Sequence, residues 1–266
     1  MISALKKMSR QLGLRRHHIA MARMAAERHA LASMPRAQRR VCGRILCYHS
    51  IGEPRYGVNN VSAAQFRRHI ELSLRSGHRF VPAQKIARDG GSSGDLAITF
   101  DDGCGSVYET AAPILKSYGV PWSFFVVSEW CERSAGWPSD AIISWRQARE
   151  LAEQGAELGS HSATHPDFGS LDSSRFKHEL LGSRMLIEKQ AGLAPKTFAI
   201  PFGQSGNWTV EATAAAQEAG YEILYAQAEK TRPAGTAART FVTAFDNDRI
   251  FKALLAGAFD RWEEWY

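Results

Sequence analysis

Short apolar runs alternate with segments of helical periodicity along the chain from about residue 44 onward. The first apolar run covers residues 45–48, and the segment after it places three apolar residues on one helical face: Phe66, Ile70 and Leu74. Ser62 and Gln65 have the spacing of a capping box, and Gly77 lies where such a helix would end. Because cap and periodicity agree, this part of the chain predicts a β-strand followed by an α-helix.

The same alternation continues to the end of the chain. Further apolar runs cover residues 80–82, 96–100, 122–127, 157–160, 197–200, 222–225 and 240–243. Helical periodicity lies between them, at residues 107–118, 144–155, 173–192, 209–220 and 250–255. Seven or eight strands alternating with helices are typical of a parallel sheet closed, or nearly closed, into a barrel, with an open doubly wound sheet as the alternative.

The charge of the chain divides it into two parts. Residues 1–40 hold ten lysines and arginines against one acid, Glu27, so this segment carries +9, while the rest holds 23 basic and 26 acidic residues and carries −3. We therefore predict a basic leader over residues 1–43 and a single catalytic domain over residues 44–266. The mild acidity of that domain argues against a nucleic-acid partner.

The leader has two interpretations. Five apolar residues fall near helical spacing among its lysines and arginines: Ile2, Leu5, Met8, Leu12 and Ile19. This pattern favours an interfacial helix on an anionic membrane surface, and a disordered basic tail or an upstream extension is the alternative. The sequence has neither a run of about 20 apolar residues nor the apolar core of a secretory signal. We expect a cytoplasmic protein with peripheral contact at the inner membrane through residues 1–40.

The four cysteines, Cys42, Cys47, Cys104 and Cys131, include no CxxC pair and no zinc-finger spacing. A chain of this length does not need disulfides to stabilise its core, and no export signal places it in an oxidising compartment. We expect free, partly buried thiols.

Two adjacent carboxylates, Asp101 and Asp102, directly follow the apolar run at residues 96–100. Adjacent carboxylates at the end of a strand are unfavourable unless a cation or a proton lies between them. The alternative is a helix N-terminus, where acidic side chains suit the helix dipole and aspartate caps the first turn. The residue types alone leave both interpretations open.

His161 and His165 follow the run at residues 157–160, in the segment HSATH. Their spacing brings two imidazoles onto one metal ion if the turn is helical. A chance pair of surface histidines is the alternative, because the chain has nine histidines. Together with one carboxylate, the two histidines make a three-ligand site with open positions, the pattern of catalytic rather than structural zinc.

Two more segments occupy the same kind of position. Pro201 and Gly203, in the segment FAIPFGQSG, are turn residues, and a rigid loop here could present the backbone N–H of Phe202 to a developing oxyanion. His49 follows the first apolar run, although a lone histidine is more often structural. All four segments come just after predicted strands, and in a βα barrel the carboxyl ends of the strands form the face where active sites lie. Their shared position predicts one site.

These segments together resemble the polysaccharide deacetylase family, the NodB homology domain of carbohydrate esterase family 4. TFDDG at residues 99–103 and HSATH at residues 161–165 are similar to its first two motifs, and FAIPFG at residues 198–203 resembles the third. The resemblance spans roughly residues 44–245. It implies an α/β fold, the incomplete (β/α)7 barrel of that family.

The resemblance also implies roles for the residues that match. Asp101 would be the catalytic base, and three residues would hold a divalent metal, with zinc as the first choice and cobalt or nickel as alternatives: Asp102, His161 and His165. The family's usual final motif, LxH, has no match, because no histidine follows His178. LCYH at residues 46–49 precedes the other motifs instead, an order that resembles the permuted poly-N-acetylglucosamine deacetylases of biofilm systems and implies His49 as general acid.

The implied reaction is hydrolysis of an N-acetyl group on an amino-sugar glycan, whether polysaccharide, oligosaccharide or lipid-linked sugar, with release of acetate. Pro201 and Phe202 would bind the oxyanion of the substrate. Many family members carry an arginine that orients the base where this chain has Ala199. Two other functions stay open, hydrolysis of a different non-peptide C–N bond and a catalytically silent sugar-binding module. Retention of Asp101 and Asp102 argues against the silent module.

Overall fold

The computed structural model describes residues 16–34, 41–132, 141–227, 232–260 and 262. Within these residues, seven parallel strands form a ring: β1 (Arg44–Tyr48), β5 (Asp95–Phe100), β6 (Trp122–Val126), β7 (Glu157–Ser160), β8 (Thr197–Ala199), β9 (Ile223–Gln227) and β10 (Ala237–Phe241). Three short strands lie outside the ring. β4 (Arg79–Phe80) pairs with the start of β5, and β2 (Ser50–Ile51) pairs with β3 (Asn60–Val61).

The ring closes at β1, which pairs with β5 on one side and with β10 on the other. Leu46 is opposite Ile98 of β5 and Thr240 of β10. This pairing confirms the (β/α)7 barrel and excludes the open doubly wound sheet. The ring has one strand fewer than an eight-stranded barrel, and because every ladder in it is parallel, the carboxyl ends of all seven strands meet at one face.

Helices cover the outside of the ring. Their bounds are α1 Arg16–Leu31, α2 Ala63–Arg75, α3 Ala83–Asp89, α4 Ala112–Tyr118, α5 Ser128–Cys131, α6 Trp145–Glu153, α7 Ser183–Ala191, α8 Val210–Glu218 and α9 Asp248–Leu255. Ser144 and Gln147 make both bonds of the predicted capping box, whereas Ser62 makes its bond to the Gln65 N–H. The helices predicted at residues 107–118 and from 173 onward each begin irregularly, with π-helical turns at Val107–Ala111 and His178–Gly182.

Side chains of alternate strand residues fill the inside of the ring. One buried cluster contains Ile45 of β1, Ala97 of β5, Phe125 of β6, Ala199 of β8 and Tyr225 of β9. Successive side chains of a strand point to opposite faces, so residues two positions further along each strand point inward as well. The inward face of each strand therefore continues directly into the residues that follow its carboxyl end.

Helix α1 lies within the predicted leader and packs on the barrel domain. The Arg28 side chain is fully buried, and its Nε and one terminal nitrogen each donate to the Asp246 carboxylate at 2.5 Å. Its guanidinium also lies 4.5 Å from the centre of the Phe259 ring. Four of the five residues in the predicted interfacial pattern, Ile2, Leu5, Met8 and Leu12, lie outside the described residues.

Within the described residues, no helix combines the length and the apolar character needed to span a membrane. All four cysteines are free thiols, as predicted, and Cys47, Cys104 and Cys131 are buried.

Candidate active site

The predicted site residues lie together at the carboxyl ends of β1, β5, β7 and β8. The Asp102 Oδ1 atom is 3.5 Å from His161 Nε2 and 3.6 Å from His165 Nε2. His161 Nε2 is also 4.0 Å from Asp101 Oδ2. A ring nitrogen of His49 lies within 4.8 Å of a carboxylate oxygen of Asp101, and the Phe202 ring centre is 4.7 Å from that of His165.

Strand alternation explains how several of these side chains reach the same place. Ile45, Cys47 and His49 have the same parity along β1, and Ala97, Thr99 and Asp101 have the same parity along β5. The inner face that holds Ile45 and Ala97 in the core therefore directs the polar residues after them toward the mouth of the barrel.

Asp102, His161 and His165 form a group whose atoms fit a divalent cation. His161 Nδ1 is 2.8 Å from the Ala199 carbonyl oxygen, which only accepts, so Nδ1 carries the proton and Nε2 presents a lone pair. Burial lowers the pKa of His161 to about 4, against the opposing attraction of Asp101, so the ring is neutral near pH 7. Asp102 Oδ1 is buried and has no hydrogen-bond partner. Lone pairs that face one another in this way repel unless a cation lies between them.

Two histidines and one carboxylate are also the ligand set of catalytic zinc sites with open positions. The hydrogen bond from His161 Nδ1 to a backbone carbonyl is the kind of outer contact that fixes the tautomer of a metal-binding histidine. The types of ligand atom in this group and the unpartnered Asp102 Oδ1 therefore both fit a bound divalent cation.

The backbone of the site is strained at four residues. Among the described residues, the non-glycine residues with positive φ are Asp102 (67°), Ser162 (71°), His165 (65°) and Phe202 (62°). Each such residue costs on the order of 1–3 kcal/mol. The two histidines therefore meet through a non-helical turn, and the helical turn considered for the HSATH spacing is wrong. All four strained residues belong to the predicted site segments.

Arg239 on β10 holds Asp101. Its two terminal nitrogens donate to Asp101 Oδ1 at 2.6 Å and to Oδ2 at 2.7 Å, and both side chains are buried. Burial raises the pKa of the Asp101 carboxyl, but the charge of Arg239 and its hydrogen bonds outweigh this effect, so the pKa lies well below its ordinary value. Asp101 is ionised and fixed in orientation. Arg239 thus does, from another strand, what the arginine missing at Ala199 would do.

Sequence reasoning missed Arg239 because its partner is 138 residues away along the chain. One signal was present. Arg239 stands in the run AARTFV, which has the composition of a buried strand, and a charged residue inside such a strand needs an oppositely charged partner.

Cys47 also contacts Asp101. Its Sγ donates to Asp101 Oδ2 at 3.3 Å. Burial raises the pKa of the Cys47 thiol well above its ordinary value, so the sulfur carries its proton and serves as a donor. Cys47, His49 and Asp101 form a second group with metal-ligand spacing. The Arg239 guanidinium already neutralises Asp101 there, so this group fits a cation less well than the Asp102 group.

His49 lies beside Asp101 at the mouth of the barrel. Its ring packs edge-on against Phe241 at 5.2 Å between centres, and its buried Nδ1 has no hydrogen-bond partner. An imidazole held by packing, with a nitrogen near a carboxylate, is suited to proton transfer.

Two aromatic rings pack against His165, the third member of the group formed with Asp102 and His161. Trp130 of α5 stacks on the His165 ring, with 5.6 Å between centres, and Phe202 packs edge-on against it. Phe202 is 40% exposed, whereas Pro201 before it is buried. Sequence reasoning did not find Trp130, because nothing in the run SEWC distinguishes it from a core residue.

The sequence profile described as polysaccharide deacetylase matches residues 89–224, just over half of the chain. The chain belongs to the polysaccharide deacetylase family, a family of hydrolases that act on N-acetyl amide bonds. The matched residues include the ends of β5, β7 and β8, which carry Asp101, Asp102, His161, His165 and Phe202.

Individual relatives are more distant. YxkH of Bacillus subtilis is 25% identical over 184 residues, which are 67% of this chain and 62% of that protein. The peptidoglycan-N-acetylglucosamine deacetylase of Bacillus cereus is 25% identical over 111 residues, 41% of this chain and 37% of the relative. The chain thus spans less than two thirds of the length of the curated relatives it matches.

A solved structure of a de-N-acetylase from Aggregatibacter actinomycetemcomitans has the same fold. The two superpose with a TM-score of 0.68 over 79% of this chain and 98% of the other, at 21% sequence identity. At this identity the likeness supports the (β/α)7 fold.

Proposed function

We propose that this protein removes N-acetyl groups from an amino-sugar glycan by hydrolysis and releases acetate. The observation that carries the proposal is the placement of an ionised carboxylate, Asp101, 4.0 Å from Nε2 of His161 in the candidate metal group. A base beside a site with open metal positions is the arrangement that amide hydrolysis requires. The substrate class follows the family, and the Bacillus cereus relative is named for N-acetylglucosamine in peptidoglycan.

Asp102, His161 and His165 would hold the metal, which we propose to be zinc, with cobalt or nickel as alternatives. A bound divalent cation supplies Lewis-acid chemistry, since it polarises the amide carbonyl and lowers the pKa of water. The neutral state of His161 near pH 7 keeps its Nε2 lone pair available as a ligand.

Asp101 is assigned the role of general base. It is ionised, and Arg239 keeps one oxygen, Oδ2, directed toward the metal group while both oxygens remain hydrogen-bonded. It would accept the proton of the attacking water. His49, within 4.8 Å of Asp101, would donate a proton to the amine nitrogen as the C–N bond breaks, because an unprotonated amide nitrogen is a poor leaving group.

Phe202 and Pro201 are assigned to substrate binding. The turn at Phe202 has a positive φ, and the Phe202 ring packs against the His165 ring, so this turn borders the candidate metal group. One N–H donor to the oxyanion of the tetrahedral intermediate contributes about 3 kcal/mol. The position of His49 before the other motifs supports the permuted arrangement that it resembles.

The test compares acetate release from chito-oligomers by the wild type and by Asp101→Asn. The substitution removes the base, so we expect the rate to fall about 100- to 10,000-fold. The control is Asp89→Asn, the same change at an exposed aspartate in α3, which should keep the wild-type rate. Removal of metal by a chelator should abolish acetate release, and added zinc, cobalt or nickel should restore it.

Other results would contradict the proposal. Wild-type rates from Asp101→Asn or from metal-free protein would exclude the mechanism. Turnover of small cyclic amides without acetate release from chito-oligomers would assign a different C–N bond. Binding of chito-oligomers without turnover at any of the three metals would identify a silent sugar-binding module.

A further inference from the structure

Glu179 has a fully buried carboxylate that faces the turn between the two histidines. The residue lies in the π-helical turn His178–Gly182. Its Oε2 accepts hydrogen bonds from the backbone N–H of Ala163 at 3.1 Å and of Thr164 at 2.9 Å. Its Oε1 accepts a third bond, at 2.7 Å, from the Thr164 hydroxyl. One side chain thus binds both backbone N–H groups at the centre of the HSATH segment.

This turn needs support because its backbone is strained on both sides of those N–H groups. Ser162 and His165 have φ values of 71° and 65°. A non-glycine residue persists in that region only when its surroundings determine its conformation. The Ser162 hydroxyl accepts the His165 N–H at 2.8 Å, which fixes one end of the turn, and Glu179 fixes the middle.

The contact of Glu179 with Arg175 does not explain its burial. Arg175 reaches Oε1 at 3.3 Å, but its own side chain is 54% exposed, so water screens the pair. A buried carboxylate is costly without hydrogen bonds, and the three donors from Ala163 and Thr164 are what satisfy it. The buried Glu179 carboxylate is thus stabilised mainly by its hydrogen bonds to the turn between His161 and His165.

We propose that Glu179 is a positioning residue that presets the turn carrying His161 and His165 for a divalent cation. The inference rests on the proposed function. Glu179 acts through the backbone of Ala163 and Thr164 and does not touch the reacting atoms. Outer contacts that orient metal ligands typically change metal affinity about 10- to 100-fold when removed.

Substitutions at Glu179 separate hydrogen bonding from charge. Glu179→Ala removes every bond to the turn. Glu179→Gln keeps an oxygen for the two N–H groups and removes the charge, and its amide nitrogen can donate to the Thr164 hydroxyl. Arg175→Ala is the matched control, because it removes the exposed ion pair and leaves the bonds to the turn intact.

The experiment measures zinc affinity of the metal-stripped full chain by competition with a chromophoric chelator. The visible absorption of the cobalt-substituted protein reports the coordination geometry. We expect Glu179→Ala to weaken zinc binding about 10- to 100-fold and to alter the cobalt spectrum. Glu179→Gln should restore most of the affinity, and Arg175→Ala should match the wild type.

Wild-type zinc affinity and an unchanged cobalt spectrum in Glu179→Ala would overturn the inference. If circular dichroism shows that Glu179→Ala does not fold, Glu179→Asp decides, since its shorter side chain cannot keep all three bonds to the turn, and wild-type affinity in that variant overturns the inference. Failure of the proposed function is distinct. A wild type that binds no metal, or binds it without releasing acetate, refutes the function, whereas a metal-binding wild type with an unaffected Glu179→Ala refutes the positioning role alone.

Discussion

The pair of Arg239 and Asp101 shows how one contact can set both the charge and the direction of a buried carboxylate, here the proposed catalytic base. A carboxylate as deeply buried as Asp101 would favour its protonated form, and a protonated acid cannot act as a base. The two parallel bonds from Arg239 oppose that effect and leave little freedom of rotation. Lysine has a single point charge and cannot reproduce this fork.

We predict that Arg239→Lys lowers kcat for acetate release about 10- to 100-fold, since loss of the fork misdirects Asp101 by a small distance. Arg239→Ala should be worse, because it leaves a buried carboxylate without an oppositely charged partner and costs about 3–5 kcal/mol of stability. Steady-state kinetics and urea unfolding measure the two effects. Arg88→Ala, which removes an exposed ion pair with Glu222, is the control. Equal kcat values for Arg239→Lys and wild type would show that orientation is unimportant.

The residues that sequence reasoning found share one property. Asp101, Asp102, His161 and His165 lie in the segments that directly follow β5 and β7, so local pattern and the parallel topology suffice to bring them together. Arg239 and Glu179 bind segments that are distant from them in the sequence, and no local sequence pattern indicates these contacts. Their partners become known only from the strand pairing and from the position of the π-helical turn. The assigned roles of the site residues remain predictions.

At the scale of elements, α1 shows the limit of charge as a guide to domain division. The charge of the basic segment before residue 44 suggests that it is separable from the barrel domain. Arg28 of this segment is nevertheless buried against Asp246, in the loop after β10. Asp246 also accepts the Thr243 backbone N–H at 3.0 Å, so α1 is connected to the loop that follows a strand of the ring. The average composition of a segment does not show whether it packs on a neighbouring domain, because that packing depends on single side chains such as Arg28.

We predict that Arg28→Ala destabilises the protein by about 3–5 kcal/mol, because it leaves the Asp246 carboxylate buried and unpaired. Arg23 lies on the same helix in an exposed pair with Glu27, and its replacement by alanine should cost about 0.5 kcal/mol or less. Urea denaturation of both variants checks the difference. Equal destabilisation by the two substitutions would show that α1 contributes only through general helix packing.

At the scale of the whole molecule, closure of the ring makes neighbours of its first and last strands. β1 carries Cys47 and ends just before His49, and β10 carries Arg239, so the first and last strands of the ring supply side chains around Asp101. The alternation of strands and helices predicted the barrel. The sequence alone did not predict which strands flank β1, because a hydrophobic strand fits several positions in a parallel sheet equally well. The strand pairing in the structure was needed to identify them.

A buried histidine couples the stability of this closed structure to pH. Burial lowers the pKa of His69, against the opposing hydrogen bond to the Asp246 carbonyl and the nearby carboxylates of Asp246 and Asp248. Tyr48 from β1 bonds its other nitrogen, the Phe251 ring stacks on it, and the Arg28 cation also disfavours its protonated form. The folded protein thus holds His69 neutral where the unfolded chain would protonate it.

Since the folded pKa is depressed, stability from this residue is complete above the unfolded pKa of about 6.5 and is lost as pH falls toward the folded pKa. We predict that the free energy of unfolding of wild type falls faster between pH 7 and pH 5 than that of His69→Gln, by up to about 1.4 kcal/mol per pH unit. Urea unfolding across this range in the presence of a chelator measures both slopes. His29→Gln, an exposed change on α1, should keep the wild-type slope, and identical slopes for all three proteins would refute the coupling.

The four strained residues at the mouth of the barrel bear on how such a protein can evolve. Glycine at Ser162 or Phe202 would relieve an unfavourable conformation, so selection for heat resistance alone would favour replacements there. Each such gain would loosen a turn that carries a proposed metal ligand or a proposed substrate contact. Selection for thermostability and selection for turnover would therefore act in opposite directions at these positions. A lineage no longer selected for catalysis would be expected to lose these side chains before it loses the barrel.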